Sequence, residues 1–140
     1  MNNLKPILGI AIVLILVFIA GRFWKKKESG SKQFQDRMDA WDDKVEDLAN
    51  QRSGKVAPNE VQNQRAKTLQ DAFQYFWGTD EDSIYRVLGG FYSLDDFAKF
   101  TSVFRWNGMR LPEALRDELN DSEYQRASSI LENKIGITLP

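Results

Sequence analysis

An all-α protein is what this chain predicts: a single N-terminal transmembrane helix, an amphipathic linker helix and a small bundle of five short helices. Three observations lead there. Ile7 to Ala20 is an unbroken run of fourteen apolar residues with a cationic flank behind it. Phe34, Met38, Trp41, Val45 and Leu48 recur at spacings of 4, 3, 4 and 3, the period of a helix with one apolar face. Beyond Pro58, apolar residues recur three to four apart between glycines and capping residues, and no segment alternates as a strand would.

The membrane segment comes first. A helix needs about 20 residues to cross a hydrocarbon core, and Lys5 to Trp24 supplies twenty. Ile7, Leu14 and Phe18 fall inside that span, and Phe23 and Trp24 stand where an interfacial aromatic belt lies. A cleaved signal peptide wants small residues before the cut, and Phe18 is bulky there. The chain has no cysteine, so a lipoprotein signal is excluded. Only Lys5 precedes the apolar run, whereas Arg22, Lys25, Lys26 and Lys27 follow it at headgroup level. The positive-inside rule then puts the C-terminal part on the cytoplasmic side, or on the corresponding face of a virion membrane.

Charge separates the anchor from the rest. Residues 28–140 carry fourteen Lys/Arg against twenty Asp/Glu, a net of −6. Nucleic-acid binding rests on cationic neutralisation of phosphates, so no nucleic-acid partner is expected. Without histidine or cysteine, imidazole bases, thiol nucleophiles, thiolate or imidazole zinc sites and disulfides drop out. The chain divides into an anchor with its basic stop over 1–27, an amphipathic helix and linker over 28–58, and a helical domain over 59–140.

In the middle part, Glu28-Ser29-Gly30-Ser31 breaks the chain after the anchor. The Phe34–Leu48 seam covers two heptads, marginal for a free-standing coiled coil. It either lies in a groove of the following domain or forms a short oligomerising stalk, a homo-oligomer contact through residues 34–48. Arg52 to Asn59 reads as a turn-rich linker.

In the domain, Asn59 is expected to cap a helix from about Glu60 to Phe76, with Val61, Leu69, Ala72, Phe73 and Phe76 on one face. Gly78 ends it. Thr79 with Asp82 resembles a capping box for the next helix, which carries Ile84, Val87 and Leu88 and stops at Gly89-Gly90. A third helix is predicted from about Ser93 to Arg105, and Trp106-Asn107-Gly108 is a turn. Pro112 opens a fourth. A fifth runs from near Ser122 to Gly136 through Tyr124, Ala127, Ile130, Leu131 and Ile135.

Gly78-Thr79-Asp80-Glu81, followed by Ile84 and Leu88, resembles the GTDE signature of an annexin repeat. Ala66 to Phe73 is similar to the end of that repeat's first helix. Asn107-Gly108 with Leu111 resembles the turn before its fourth, and Arg116 to Asn120 the segment after it. These matches share one ungapped register from about Ala66 to Leu131. The resemblance implies a five-helix right-handed bundle and a calcium site. In that site the carbonyls would come from Gln74, Phe76 and Gly78, and the carboxylate from Glu118, which lies 39 residues after Thr79. The chain departs from the pattern at Phe76, where the family has glycine, and at Phe91, where it has arginine.

Three functions are then in view. The first is a non-enzymatic structural or adaptor protein, with the bilayer and other proteins of a membrane-associated assembly as partners. It would tie bilayer to capsid in a virion or act as a scaffold in a bacterial envelope. Tyr75, Phe76, Trp77, Phe91, Tyr92 and Trp106 supply aromatics of the kind enriched at interfaces. The second is a Ca²⁺-dependent phospholipid-binding module that bridges membranes. The third, an enzyme using two of Glu81, Asp82, Glu113 and Glu118, is disfavoured: among twenty acids some pairs arise by chance, and no phosphate loop or nucleophile elbow is present. No cofactor is expected beyond the candidate Ca²⁺.

Overall fold

A computed structural model describes residues 32–75 and 78–140. The expected span from Lys5 to Trp24, with Ile7, Leu14, Phe18, Arg22 and Lys25–Lys27 in or beside it, lies outside the described residues. Among those that are described, no helix is long and apolar enough to cross a membrane.

Among the described residues six helices follow one another: α1 (Lys32–Gln51), α2 (Asn59–Phe73), α3 (Glu81–Gly89), α4 (Leu94–Val103), α5 (Leu111–Glu118) and α6 (Asp121–Ile135). Among the described residues there is no strand, only an isolated bridge between Trp106 and Met109. The all-α reading therefore holds. The chain divides into two compact units, Met1–Gln35 and Asp36–Pro140. Of the first, only the opening turn of α1 is described, and Phe34 there is buried.

The second unit is built around aromatic rings that helical spacing delivers to one interior. Phe91, Phe97 and Phe100 are almost wholly buried. Phe91 meets Phe97 edge-on at 5.0 Å and Phe100 at 5.2 Å, and Phe100 stacks on Phe104 at 5.2 Å. Such pairs add roughly 0.5–1.5 kcal/mol each beyond the area they bury. Leu69 of α2, Ile84 and Leu88 of α3, Leu115 of α5 and Leu131 of α6 close the core around them. Helix α3 packs against both α2 and α6, and α5 packs against α6.

Helix α1 belongs to this core. Trp41 and Val45 are buried members of it, and Leu48 packs against it. The Trp41 ring meets Phe97 edge-on at 5.9 Å, and its indole N–H donates to the Thr138 carbonyl at 2.6 Å. Met38 is fully buried as well. Trp41 and Val45 of the seam are thus packed inside the second unit. The second compact unit starts at Asp36.

The linker after α1 is pinned rather than loose. The Gly54 N–H donates to the Asp95 carboxylate, the Ser93 hydroxyl donates to the Lys55 carbonyl, and the Ala57 N–H donates to Asp96. A side chain at position 54 would bring a Cβ within 2.5 Å of the Ser93 Cβ, so the close approach requires glycine there.

Asp96 is fully buried and fully satisfied. One carboxylate oxygen accepts from the Ala57 N–H at 2.8 Å and the Gln62 amide at 2.6 Å. The other accepts from Arg65 at 2.8 Å and the Tyr92 N–H at 2.9 Å. Burial alone would raise its pKa. The backbone N–H groups of Tyr92 and Ala57, with the Arg65 guanidinium, outweigh burial and hold it below the usual carboxylate value. Arg65 also donates to the Gly90 carbonyl at 2.6 Å and lies 4.6 Å from the Phe91 ring centre.

The α2 boundaries differ from the sequence expectation. Its N-cap is Pro58, and the Asn59 side chain accepts from Lys99 instead of capping. Proline presets φ and has no N–H to satisfy. The helix ends at Phe73, three residues before Phe76. Val61 is only half-buried, while Gln62 and Arg65 take interior positions because Asp96 is there to meet them.

Candidate functional site

The connection from α2 to α3 meets the end of α5 through one long-range contact. The Thr79 hydroxyl lies 3.2 Å from the Glu118 carbonyl and 3.4 Å from its carboxylate Oε2, across 39 residues. A hydroxyl has one proton, so the two acceptors share it. Both residues are half-buried.

Local backbone explains how Thr79 reaches that place. Gln74 closes α2 with its N–H on the Gln70 carbonyl. Gly78 has φ +138° and donates to the Tyr75 carbonyl at 3.1 Å, a conformation that only glycine adopts at low cost. The Asp80 N–H returns to the Ala72 carbonyl at 3.1 Å.

The expected Thr79–Asp82 capping box is not the cap that forms. Asp80 is the N-cap of α3: its carboxylate accepts from the Ser83 N–H at 3.1 Å and the Ser83 hydroxyl at 2.7 Å. Those two bonds hold the Asp80 carboxyl below its usual pKa. The Thr79 hydroxyl is turned to Glu118 instead, and Asp82 is an exposed acid in the first turn, where it suits the helix dipole.

Of the four candidate calcium ligands, Gln74 and Gly78 lie on this one connection and Glu118 lies against Thr79. Phe76 falls outside the described residues. Among the described residues, no three of the His, Cys, Asp and Glu side chains form a group that could hold a metal ion. Glu113 caps α5: its carboxylate accepts from the Arg110 N–H at 2.8 Å and lies 3.3 Å from the Arg110 guanidinium.

The aromatics divide. Phe91 is core, and Trp106 is half-buried with its ring 5.7 Å from Phe73. Tyr75 and Tyr92 are exposed, at 58% and 50%. Trp77, like Phe76, lies outside the described residues.

Two surfaces were not singled out by the sequence. The first is Arg110, which donates at 2.8 Å to both Asp39 and Asp42 of α1. Burial works against its charge, but the bonds to Asp39 and Asp42 prevail and raise its pKa. The second is the edge formed by the linker and Tyr92. The Lys55 ammonium stands 4.6 Å from the centre of the Tyr92 ring, and the Arg65 guanidinium 5.3 Å from it. No local pattern announces either one, because their contacts join residues 27 to 71 apart in the chain.

No family model matches the chain, and no curated protein or solved structure matches it either.

Proposed function

We propose that this chain is a non-enzymatic, single-pass membrane protein whose helical domain serves as a structural or adaptor module. The observation that carries the reading is the apolar run Ile7–Ala20 with Arg22 and Lys25–Lys27 behind it. That length and that flank suit an uncleaved anchor. The rigid construction of the second unit supports the adaptor role. Its linker is pinned, its helices share one aromatic core, and Tyr75 and Tyr92 are left facing outward. The partners would be proteins of a membrane-associated assembly, in a bacterial envelope or beneath a virion membrane.

Alkaline carbonate extraction followed by purification of the full chain in mild detergent tests this. The expected result is a chain that stays with the membrane through the wash and retains a protein partner in detergent. Release by carbonate removes the anchor. Purification without a partner removes the adaptor role.

A second reading, a single annexin-like repeat with a calcium site, is favoured by the Thr79–Glu118 contact. It joins the two positions that the resemblance pairs. Calcium binds six to eight oxygens, so waters would complete the set. Calorimetry of the full chain in nanodiscs, with Ca²⁺ and acidic liposomes, tests it. A heat at millimolar Ca²⁺ that disappears in Glu118→Gln supports the site, and no heat in the parent chain ends this reading.

A further inference from the structure

The outward face of α1 and the linker edge beside Tyr92 are complementary. Asp36, Asp39, Asp43, Glu46 and Asp47 are all exposed. At about 100° per residue they fall in one sector of roughly 100°, on the side of the helix away from Trp41 and Val45. Like charges three and four residues apart destabilise a helix, and this stripe contains four such pairs. Only Asp39 is relieved, by Arg110. Among the described residues, Asp36, Asp43, Glu46 and Asp47 have no ion-pair partner.

The linker edge is the reverse. Among the described residues the Lys55 ammonium makes no ion pair and rests on the Tyr92 ring. Val56 and Tyr92 are 39% and 50% exposed. In a region of net charge −6, this edge sets an exposed ammonium against an exposed aromatic ring. Tyrosine is enriched at interface centres.

The two faces do not meet within one chain. Lys55 is four residues past the end of α1, yet its segment is held against α4 by the Ser93–Lys55 and Ala57–Asp96 bonds. We infer that the acidic stripe of α1 docks on the Lys55–Val56–Tyr92 edge of a second copy of this chain. Each copy then presents one free face of each kind. Such a head-to-tail contact propagates into rows unless a rotation closes it. The apolar seam takes no part in it. The inference goes beyond the adaptor reading and does not require it. Copies confined to one bilayer would simply meet at a higher effective concentration.

A mixture of ¹⁴N- and ¹⁵N-labelled full chain in mild detergent, treated with a carbodiimide, tests the contact. The expected products are mixed-isotope peptides joining Lys55 to Asp43, Glu46 or Asp47, lost when salt is raised to about 0.5 M. By sedimentation, Lys55→Glu and Asp43→Lys/Glu46→Lys should each weaken self-association about tenfold or more. A chain carrying all three changes should recover it. Cross-links confined to single-isotope peptides overturn the inference. So do variants that sediment as the parent does, or a combined chain that fails to recover.

Discussion

Arg65 and Arg110 each tie distant parts of this protein through aspartate, and the Arg65–Asp96 and Arg110–Asp39 contacts differ mainly in their exposure to water. Arg65–Asp96 is 2.8 Å long with side chains 9% and 0% exposed. Arg110–Asp39 has the same length, but its aspartate is 71% exposed. Equal geometry does not mean equal consequence. The buried carboxylate has lost its water and is held by four protein donors, so each donor becomes indispensable. The exposed one keeps its water whether or not the arginine is present. The linker and α4 are therefore tied by a network that cannot be partly dismantled. Arg110 only trims the position of α1, whose docking rests on Trp41 and Val45.

The largest effect should come from Asp96→Ala, which strands a buried guanidinium and two backbone N–H groups. A loss of about 3–5 kcal/mol is expected in urea unfolding of the full chain. A loss below about 1 kcal/mol would mean that the network is not as dry as it looks. The same group sets a pH dependence. Its folded pKa lies below the unfolded value near 4. Its contribution is therefore complete above that value and declines as pH falls through the folded pKa. Asp96→Asn should flatten the acid limb of the stability curve, and an unchanged limb would assign acid sensitivity elsewhere.

Trp41→Ala comes next, at about 3–5 kcal/mol for a large buried ring. It breaks the comparison from the other side. If its cost were near zero, α1 would be an external brace and the Arg110 contacts would be its main attachment. Arg110→Met should have the smallest effect, about 1 kcal/mol or less, and that difference should vanish in high salt. A larger, salt-independent loss would place Arg110 with Arg65.

Much of the helix layout was legible locally. Gly89-Gly90 and Gly136 stop helices where expected, and the 4-3-4-3 seam is indeed the buried side of α1. What was missed has a common physical origin. Asn59 and Thr79 look like caps, but a distant Lys99 and Glu118 claim their side chains, and Pro58 and Asp80 take over the helix starts. Gln62 and Arg65 look like surface residues, and they are drawn inward by an acid 31 or more residues away. Of the candidate site, the Thr79–Glu118 contact joins residues 39 apart and the Lys55–Tyr92 edge residues nearly as distant, and no local pattern announces the Lys55–Tyr92 edge.

By itself, the sequence determined the all-α class of this protein. Apolar period and glycine stops are properties of neighbours in the chain, and they act before any fold exists. Only the tertiary structure decided which acids are buried, Asp96 and Glu113 among the described residues, and which face of α1 is used up within the chain. Locally, Asp95 and Asp96 are nearly the same residue twice. The difference between them is the loss of water around one carboxylate, and that depends on what the rest of the chain brings to it.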